Sequence, residues 1–238
     1  MIKFFRKIRQ SLMSENKFSK YLIYVIGEIL LVVIGILIAL SINNWNEEIA
    51  MIKKERDLLM QMKNNLSANL IQLTEDYENL DRKLISISVV LNHMRDKLPL
   101  HDGLYFNFYG PFSPGTTNLT SSAYETFKSI GLDVIISDEL RDEIINLYEI
   151  SYPRLQIGVR ESMNNWEVEM IIPYYFNNFS HDEKLGLIPN NYNVLIEDQK
   201  YRNLLTARQV YFKNILSEIL DFKTTTQKTI DNIDLYLE

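Results

Sequence analysis

Three groups of side chains in this sequence have the chemistry to do more than fill space. They are one glutamate inside an apolar run, three histidines, and a row of carboxylates at Glu139, Asp142 and Glu143. Glu28 is the only ionisable group between Tyr21 and Ile42, in the run YLIYVIGEILLVVIGILIALSI. A carboxylate held in hydrocarbon is costly. Where one occurs in a membrane span, it marks a helix contact, a partner subunit or a route for protons and ions.

Four readings of Glu28 stay open. It can sit in a helix–helix seam, protonated and hydrogen-bonded to the Tyr21 or Tyr24 hydroxyl of a second chain. Gly35 and Ala39 form a small-xxx-small pair on roughly the same face and favour such a homo-oligomer. It can pair with another membrane subunit. It can carry protons or ions, as an acidic residue does in the single-span subunits of bacterial ion-driven motors, a likeness of architecture alone. Or it can reach water through local thinning of the bilayer, eight residues in from Lys20.

The histidines are His93, His101 and His181, and the chain has no cysteine. No thiolate site or disulfide framework can therefore form. His93 and His101 flank the helix breaker Pro99 and can approach each other. Two histidines beside a loop read as surface residues, so no metal site is expected. The spacing of Glu139, Asp142 and Glu143 is that of a solvated helix face. There is no glycine-rich phosphate loop, no nucleophile-elbow serine and no histidine pair at helical spacing. The sequence thus implies no catalytic residue, no cofactor and no identifiable small-molecule ligand; the expectation is that it is not an enzyme.

Stepping outward from Glu28, the apolar run reaches about 33 Å as a helix, enough to cross a hydrocarbon core of about 30 Å. Residues 1–20 carry Lys3, Arg6, Lys7, Arg9, Lys17 and Lys20 against Glu15, a balance of +5, whereas the chain beyond Ile42 has a balance of −10. Positive flanks stay in the cytoplasm. The expected topology is a cytoplasmic N-terminus, an uncleaved anchor at 21–42 and a periplasmic domain at 43–238. A signal peptide competes through Ala39-Leu40-Ser41, but the apolar stretch is too long for a signal core and contains a glutamate. Phe4, Phe5, Ile8 and Leu12 alternate with Lys3, Arg6, Lys7 and Arg9. This pattern fits either a basic amphipathic segment on anionic lipid or a positive tail that only sets topology. Tyr21 and Tyr24 at one end and Trp45 at the other read as interfacial anchors. The acidic balance of the larger part argues against nucleic-acid binding. The partners expected are the lipid bilayer and either a second copy or another membrane subunit.

From Ile36 to Leu98 there is neither glycine nor proline. The series Tyr24, Leu31, Ile38, Trp45, Ile52, Leu59, Leu66, Leu73, Leu80, Ile87, Met94 is apolar at every seventh residue. Its companion runs Tyr21, Glu28, Gly35, Ile42, Ile49, Arg56, Lys63, Leu70, Tyr77, Leu84, Leu91, Leu98. Such a seam predicts one helix from Tyr21 to Leu98, leaving the membrane unbroken. Residues 99–118 predict a loop whose aromatic residues pack on the tip of a helical bundle or bind a ligand or partner there. Helices follow at about 121–131, opened by a capping box at Ser122–Glu125, at 138–172 with a kink at Pro153, and at 197–237. Pro173–Asn193 predicts another loop, and Asp133–Ile136 is the one brief strand-like stretch. The fold class is therefore all-α: one N-terminal transmembrane helix continuing into a long helix, with an antiparallel extracytoplasmic bundle.

Two blocks carry a resemblance. FFRKIRQSLMSENKFSKYLIYVIGEILLVVIGILIALSINNWNE, Phe4–Glu47, resembles the opening of an uncharacterised family of bacterial single-pass membrane proteins of unknown function. SSAYETFKSIGLDVIISDELRDEIINLYE, Ser121–Glu149, is similar to that family's second recurring segment. The resemblance implies membrane attachment and a mostly helical extracytoplasmic region. It implies no activity and no catalytic residues.

Overall fold

The computed structural model describes residues 18–112, 118–157 and 166–238, with backbone alone at 18–21 and 24. The described chain is mostly helical and divides into two units, with the boundary between Glu55 and Arg56. One helix, α1, spans Phe18–Asp96. The absence of glycine and proline after Ile36 lets its hydrogen-bond ladder run on without a break.

In the first unit α1 stands without a core. Leu30, Leu31, Val32, Ile38 and Leu40 are all exposed, as is Trp45 at 63%. None of the eighteen-residue apolar window is buried, and its mean hydropathy of 2.9 makes this helix long and apolar enough to cross a membrane.

The second unit has a core of its own. Leu59, Leu66, Leu73, Leu80, Ile87 and Met94 of α1 are buried, so the seven-residue series lies along the packed seam. The companion series does not go as deep: Leu70, Tyr77, Leu84 and Leu91 are only partly buried. Met62, Asn69 and Val90 take the inner positions instead. The last helix, α6, spans Gln199–Leu237 and runs opposite to α1. Arg56 Nη1 donates to the Leu237 carbonyl at 2.9 Å, Lys63 pairs with Asp234 at 2.5 Å, and Gln209 donates to Ser88 at 3.0 Å. Arg56 thereby satisfies a carbonyl that the helix end leaves without a partner.

Between these two helices the chain is more broken than its sequence suggests. Residues Asp102–Tyr109 form a 3-10 helix inside the expected loop. Helix α2, Ser122–Ile130, starts at Ser121, whose side chain makes no capping bond. The expected Ser122 capping box is not used. Asn65 of α1 instead accepts from the Ser122 hydroxyl at 2.9 Å and the Ala123 N–H at 2.8 Å, so the cap comes from another helix. Asp133–Ile136 is not a strand, since Leu132–Val134 is a 3-10 turn.

Helix α3, Asp138–Asn146, is capped by Ser137, which accepts from the Leu140 N–H. It widens into a π turn at Leu147–Ser151 and then passes through Pro153. A second π turn, Glu167–Ile171, precedes α4, Ile172–Asn178, which contains Pro173. The expected stop at 172 is thus overturned. A proline lacks an N–H and crowds the carbonyl four residues back. In both places that carbonyl, of Glu149 or Glu169, lies inside a π turn, where the ladder is already shifted.

The expected loop after Pro173 also contains a hairpin, β1 Phe179–Asp182 against β2 Gly186–Pro189, antiparallel with Phe179 opposite Pro189. This small departure from an all-helical chain is held by Asp182, whose Oδ1 accepts from the N–H groups of Lys184 and Leu185. A short helix α5, Tyr192–Leu195, leads into α6.

Candidate functional site

Glu28 is half-buried on α1. An added Cβ at Gly35 meets nothing within 4 Å, and Ala39 is exposed. The small-residue pair therefore presents open surface on the first unit. Lys3, Arg6, Lys7 and Arg9 lie outside the described residues, as do the side chains of Tyr21 and Tyr24.

The second unit holds an ionic cluster that the apolar pattern did not reveal. Arg208 of α6 is 1% exposed. Its Nε donates to the Pro111 carbonyl at 2.7 Å and its Nη2 to Glu167 at 3.0 Å. The guanidinium lies over the rings of Phe212, Trp166 and Tyr211, with centroids at 4.8, 5.3 and 5.8 Å. Planar, delocalised charge suits this setting better than an ammonium would. One residue on, the Phe112 carbonyl accepts from Lys83 Nζ at 2.9 Å. Burial lowers the Lys83 pKa; Glu167 opposes that shift and Arg208 adds to it. Burial likewise lowers that of Arg208, with Glu167 acting against it. A buried and a partly buried cation thus hold two consecutive carbonyls of the aromatic segment. A cleft of about 330 Å³ opens beside them, lined by Trp166, Ala207, Arg208 and Tyr211.

The aromatic segment is packed as well as held by these cations. Leu104 and Phe108 are fully buried, Tyr105 and Phe112 partly so, and Phe106 alone among the segment's large apolar side chains is mostly exposed, at 66%. Gly110 sits where a Cβ would come within 3.0 Å of the Ile87 nitrogen, so the segment lies directly on α1. Tyr175 donates to the Phe108 carbonyl at 2.8 Å, meets the Tyr201 hydroxyl at 2.9 Å and stacks on Phe179 at 4.4 Å. Complete burial holds the Tyr175 hydroxyl neutral, its pKa well above the ordinary phenol value.

The carboxylate row divides. Glu143 accepts from Thr229 and Asn232 of α6, both at 2.7 Å, so it belongs to the packing and not to a solvated face. Arg141 pairs with Asp138, and Glu139 accepts from Ser137 at 3.2 Å. Of the histidines, His181 pairs with the Tyr109 hydroxyl at 3.1 Å. His93 and His101 come together, with their Nε2 atoms 3.2 Å apart.

Arg208 could have been suspected from the sequence. Tyr201, Leu204, Leu205, Phe212, Ile215 and Ile219 form a buried apolar stripe on α6, and Arg208 interrupts it at a core position. A charge at a core register needs a buried partner.

Residues 28–215 match the model of a protein family described as a family of unknown function, DUF6090. No curated protein and no solved structure matches the chain.

Proposed function

The chain belongs to the DUF6090 family of unknown function, and from that premise we propose that it is a single-pass protein of a bacterial inner membrane. Its N-terminus lies in the cytoplasm, and residues 43–238 form a periplasmic antiparallel helical domain. It works without catalysis, through interaction or sensing, as a component of an oligomeric membrane complex. One observation carries this reading. The apolar window of α1 has no buried residue, while the second unit has a buried core of its own. An uncovered apolar helix of that length is soluble only in lipid or against other spans. The charge step from +5 before the run to −10 after it supports the orientation.

Within the span, Glu28 with Gly35 and Ala39 supports a seam between copies. Glu28→Gln keeps a hydrogen-bonding amide and is expected to preserve oligomers in detergent. Glu28→Leu removes it and is expected to weaken them. A protein that cross-linking in native membranes finds monomeric overturns self-assembly. The second reading, an ion-conducting or energy-coupling subunit, rests on the same acidic group. It predicts instead that both substitutions abolish function while the complex stays whole. An active cytoplasmic reporter fused after Glu238 overturns the orientation.

A further inference from the structure

We propose that His93 and His101 form a two-histidine binding site for a first-row divalent transition ion, with Zn²⁺ as the reference case. Their Nε2 atoms face each other at 3.2 Å. With metal–nitrogen bonds of about 2.0–2.1 Å, nitrogens at that separation subtend about 100° at a shared ion, close to the tetrahedral angle. The rings are tilted by 49°, with centroids 5.3 Å apart.

The tautomer of His93 is already set. Its Nδ1 lies 2.9 Å from the Val89 carbonyl. A carbonyl only accepts, so Nδ1 carries the proton and Nε2 of the neutral ring presents its lone pair. This arrangement, the far ring nitrogen donating to a backbone carbonyl, is the outer support that histidine ligands ordinarily have.

The backbone between the two rings is also fixed before any ion arrives. Lys97 has φ 52 and ends α1, and the Leu98 N–H reaches back to the His93 carbonyl at 3.1 Å. That is the six-to-one bond of a Schellman turn, with Pro99 following to prevent the helix from continuing. The Leu98 carbonyl accepts from the Tyr192 hydroxyl at 2.8 Å, and Lys97 pairs with Glu197 at 2.6 Å. The turn is thus tied to the segment before α6, and it returns His101 to the face of His93. The position at the carbonyl end of a helix also favours a cation.

Among the described residues no group of three or more histidine, cysteine, aspartate or glutamate side chains gathers around a point. The nearest carboxylate on the helix, Asp96, is held by Arg95 at 2.8 Å. The chain therefore supplies two ligands, and water fills the remaining positions. Such a site binds more weakly than a four-ligand structural centre. When filled, it clasps the end of α1 to the start of the aromatic segment.

The test uses the full chain in detergent, purified without a polyhistidine tag and titrated with ZnCl₂ by calorimetry. We expect one ion per chain and a rise in melting temperature with Zn²⁺. His93→Ala and His101→Ala each should weaken binding about tenfold or more, while His181→Ala leaves it unchanged. The chain has three histidines and no cysteine, so the three variants test every imidazole in it. His93→Gln and His101→Gln give the same comparison should an alanine variant fail to fold. The proposal is overturned if the doubly substituted chain binds Zn²⁺ as tightly as the parent, or if His181→Ala loses binding to the same degree. It is also overturned if no ion binds, in which case the 3.2 Å contact is a hydrogen bond from one ring to the other.

Discussion

The guanidinium of Arg208 and the carboxylate of Glu167 meet at 3.0 Å with 1% and 17% of their side chains exposed. They come from α6 and from the π turn ahead of α4. The pair thus joins the last helix to the most irregular stretch of the fold. Through the Pro111 carbonyl, Arg208 also holds the aromatic segment. One side chain therefore ties three parts of the second unit together, and Lys83 repeats the device on the next carbonyl.

Removing one member of such a pair leaves the other's charge in a largely buried place. Arg208→Ala is expected to cost about 3–5 kcal/mol, because the Pro111 carbonyl loses its donor and Glu167 loses the Arg208 charge. Arg208→Met, which fills the space among Trp166, Tyr211 and Phe212, should cost less than Arg208→Ala. Glu167→Gln, which keeps an acceptor oxygen, should be the mildest of the three. Urea denaturation of the detergent-solubilised chain, followed by circular dichroism, gives the order. A loss below about 1 kcal/mol for Arg208→Ala would place the pair among surface bridges.

Asn69, 1% exposed on α1, reads both polar groups of one residue. Its Oδ1 accepts from the Thr120 N–H at 2.8 Å, and its Nδ2 donates to the Thr120 carbonyl at 3.0 Å and to the Tyr152 hydroxyl at 3.3 Å. Asn69→Ala removes all three bonds and leaves the Thr120 backbone without partners, at a cost of about 2–3 kcal/mol. Asn69→Asp keeps the acceptor but brings a charge into the core, and it should be at least as damaging. Asn65→Ala, in a less buried place, should cost about 1 kcal/mol through the lost helix cap. The same denaturation measurement ranks the three.

The contrast between Asn69 and Leu66 explains what the sequence could disclose. Leu66, Leu73, Leu80 and Ile87 recur every seventh residue, and the recurrence is visible without any partner. The inner companion positions are three residues further on, at Met62, Asn69, Asp76, Lys83 and Val90. Their polar members hide the stripe from any count of apolar residues. What makes them tolerable in the core lies far away in sequence, at Thr120 for Asn69 and at Phe112 for Lys83. Glu143 is concealed in the same way, since Thr229 and Asn232 come from the other end of the chain. The two π turns escape detection for a different reason. A proline announces an interruption, but whether the helix stops or widens depends on the packing around it. The hairpin at Phe179–Pro189 has strands of four residues, too short to show alternation.

Gly186 shows a local constraint that can be tested alone. Its φ of 87 lies in the region that side chains avoid, and a Cβ there would come within 2.9 Å of the Tyr109 ring. Gly186→Ala therefore meets backbone strain and a clash at once, and about 1–3 kcal/mol of destabilisation is expected. The double variant Gly186→Ala with Tyr109→Ala removes the clash and keeps the strain. It should thus show a favourable coupling between the two positions. Additive losses would mean that the ring swings aside freely.

The last prediction concerns acid. Asp198 caps α6, its Oδ1 accepting from the N–H groups of Lys200 and Tyr201 at 2.7 and 3.4 Å, while its Oδ2 accepts from the Tyr174 hydroxyl at 2.6 Å. Partial burial pushes the carboxyl pKa up, but these hydrogen bonds together with the Lys200 charge hold it below the ordinary value. The unfolded chain, with its carboxyl titrating near about 3.9, takes up its proton first as pH falls. The stabilisation from Asp198 is therefore complete above that value and is lost as pH drops through the lower, folded one. Asp198→Asn still caps the helix but does not titrate. At pH 6 the parent should be the more stable of the two, and the gap should close toward pH 3. Asp198→Ala removes the cap at every pH, at a cost of about 1–2 kcal/mol at pH 6. Melting curves of the three chains at pH 6, 4 and 3 decide the matter, and a parent–asparagine gap that stays constant across that range refutes the role given to the Tyr174 hydrogen bond.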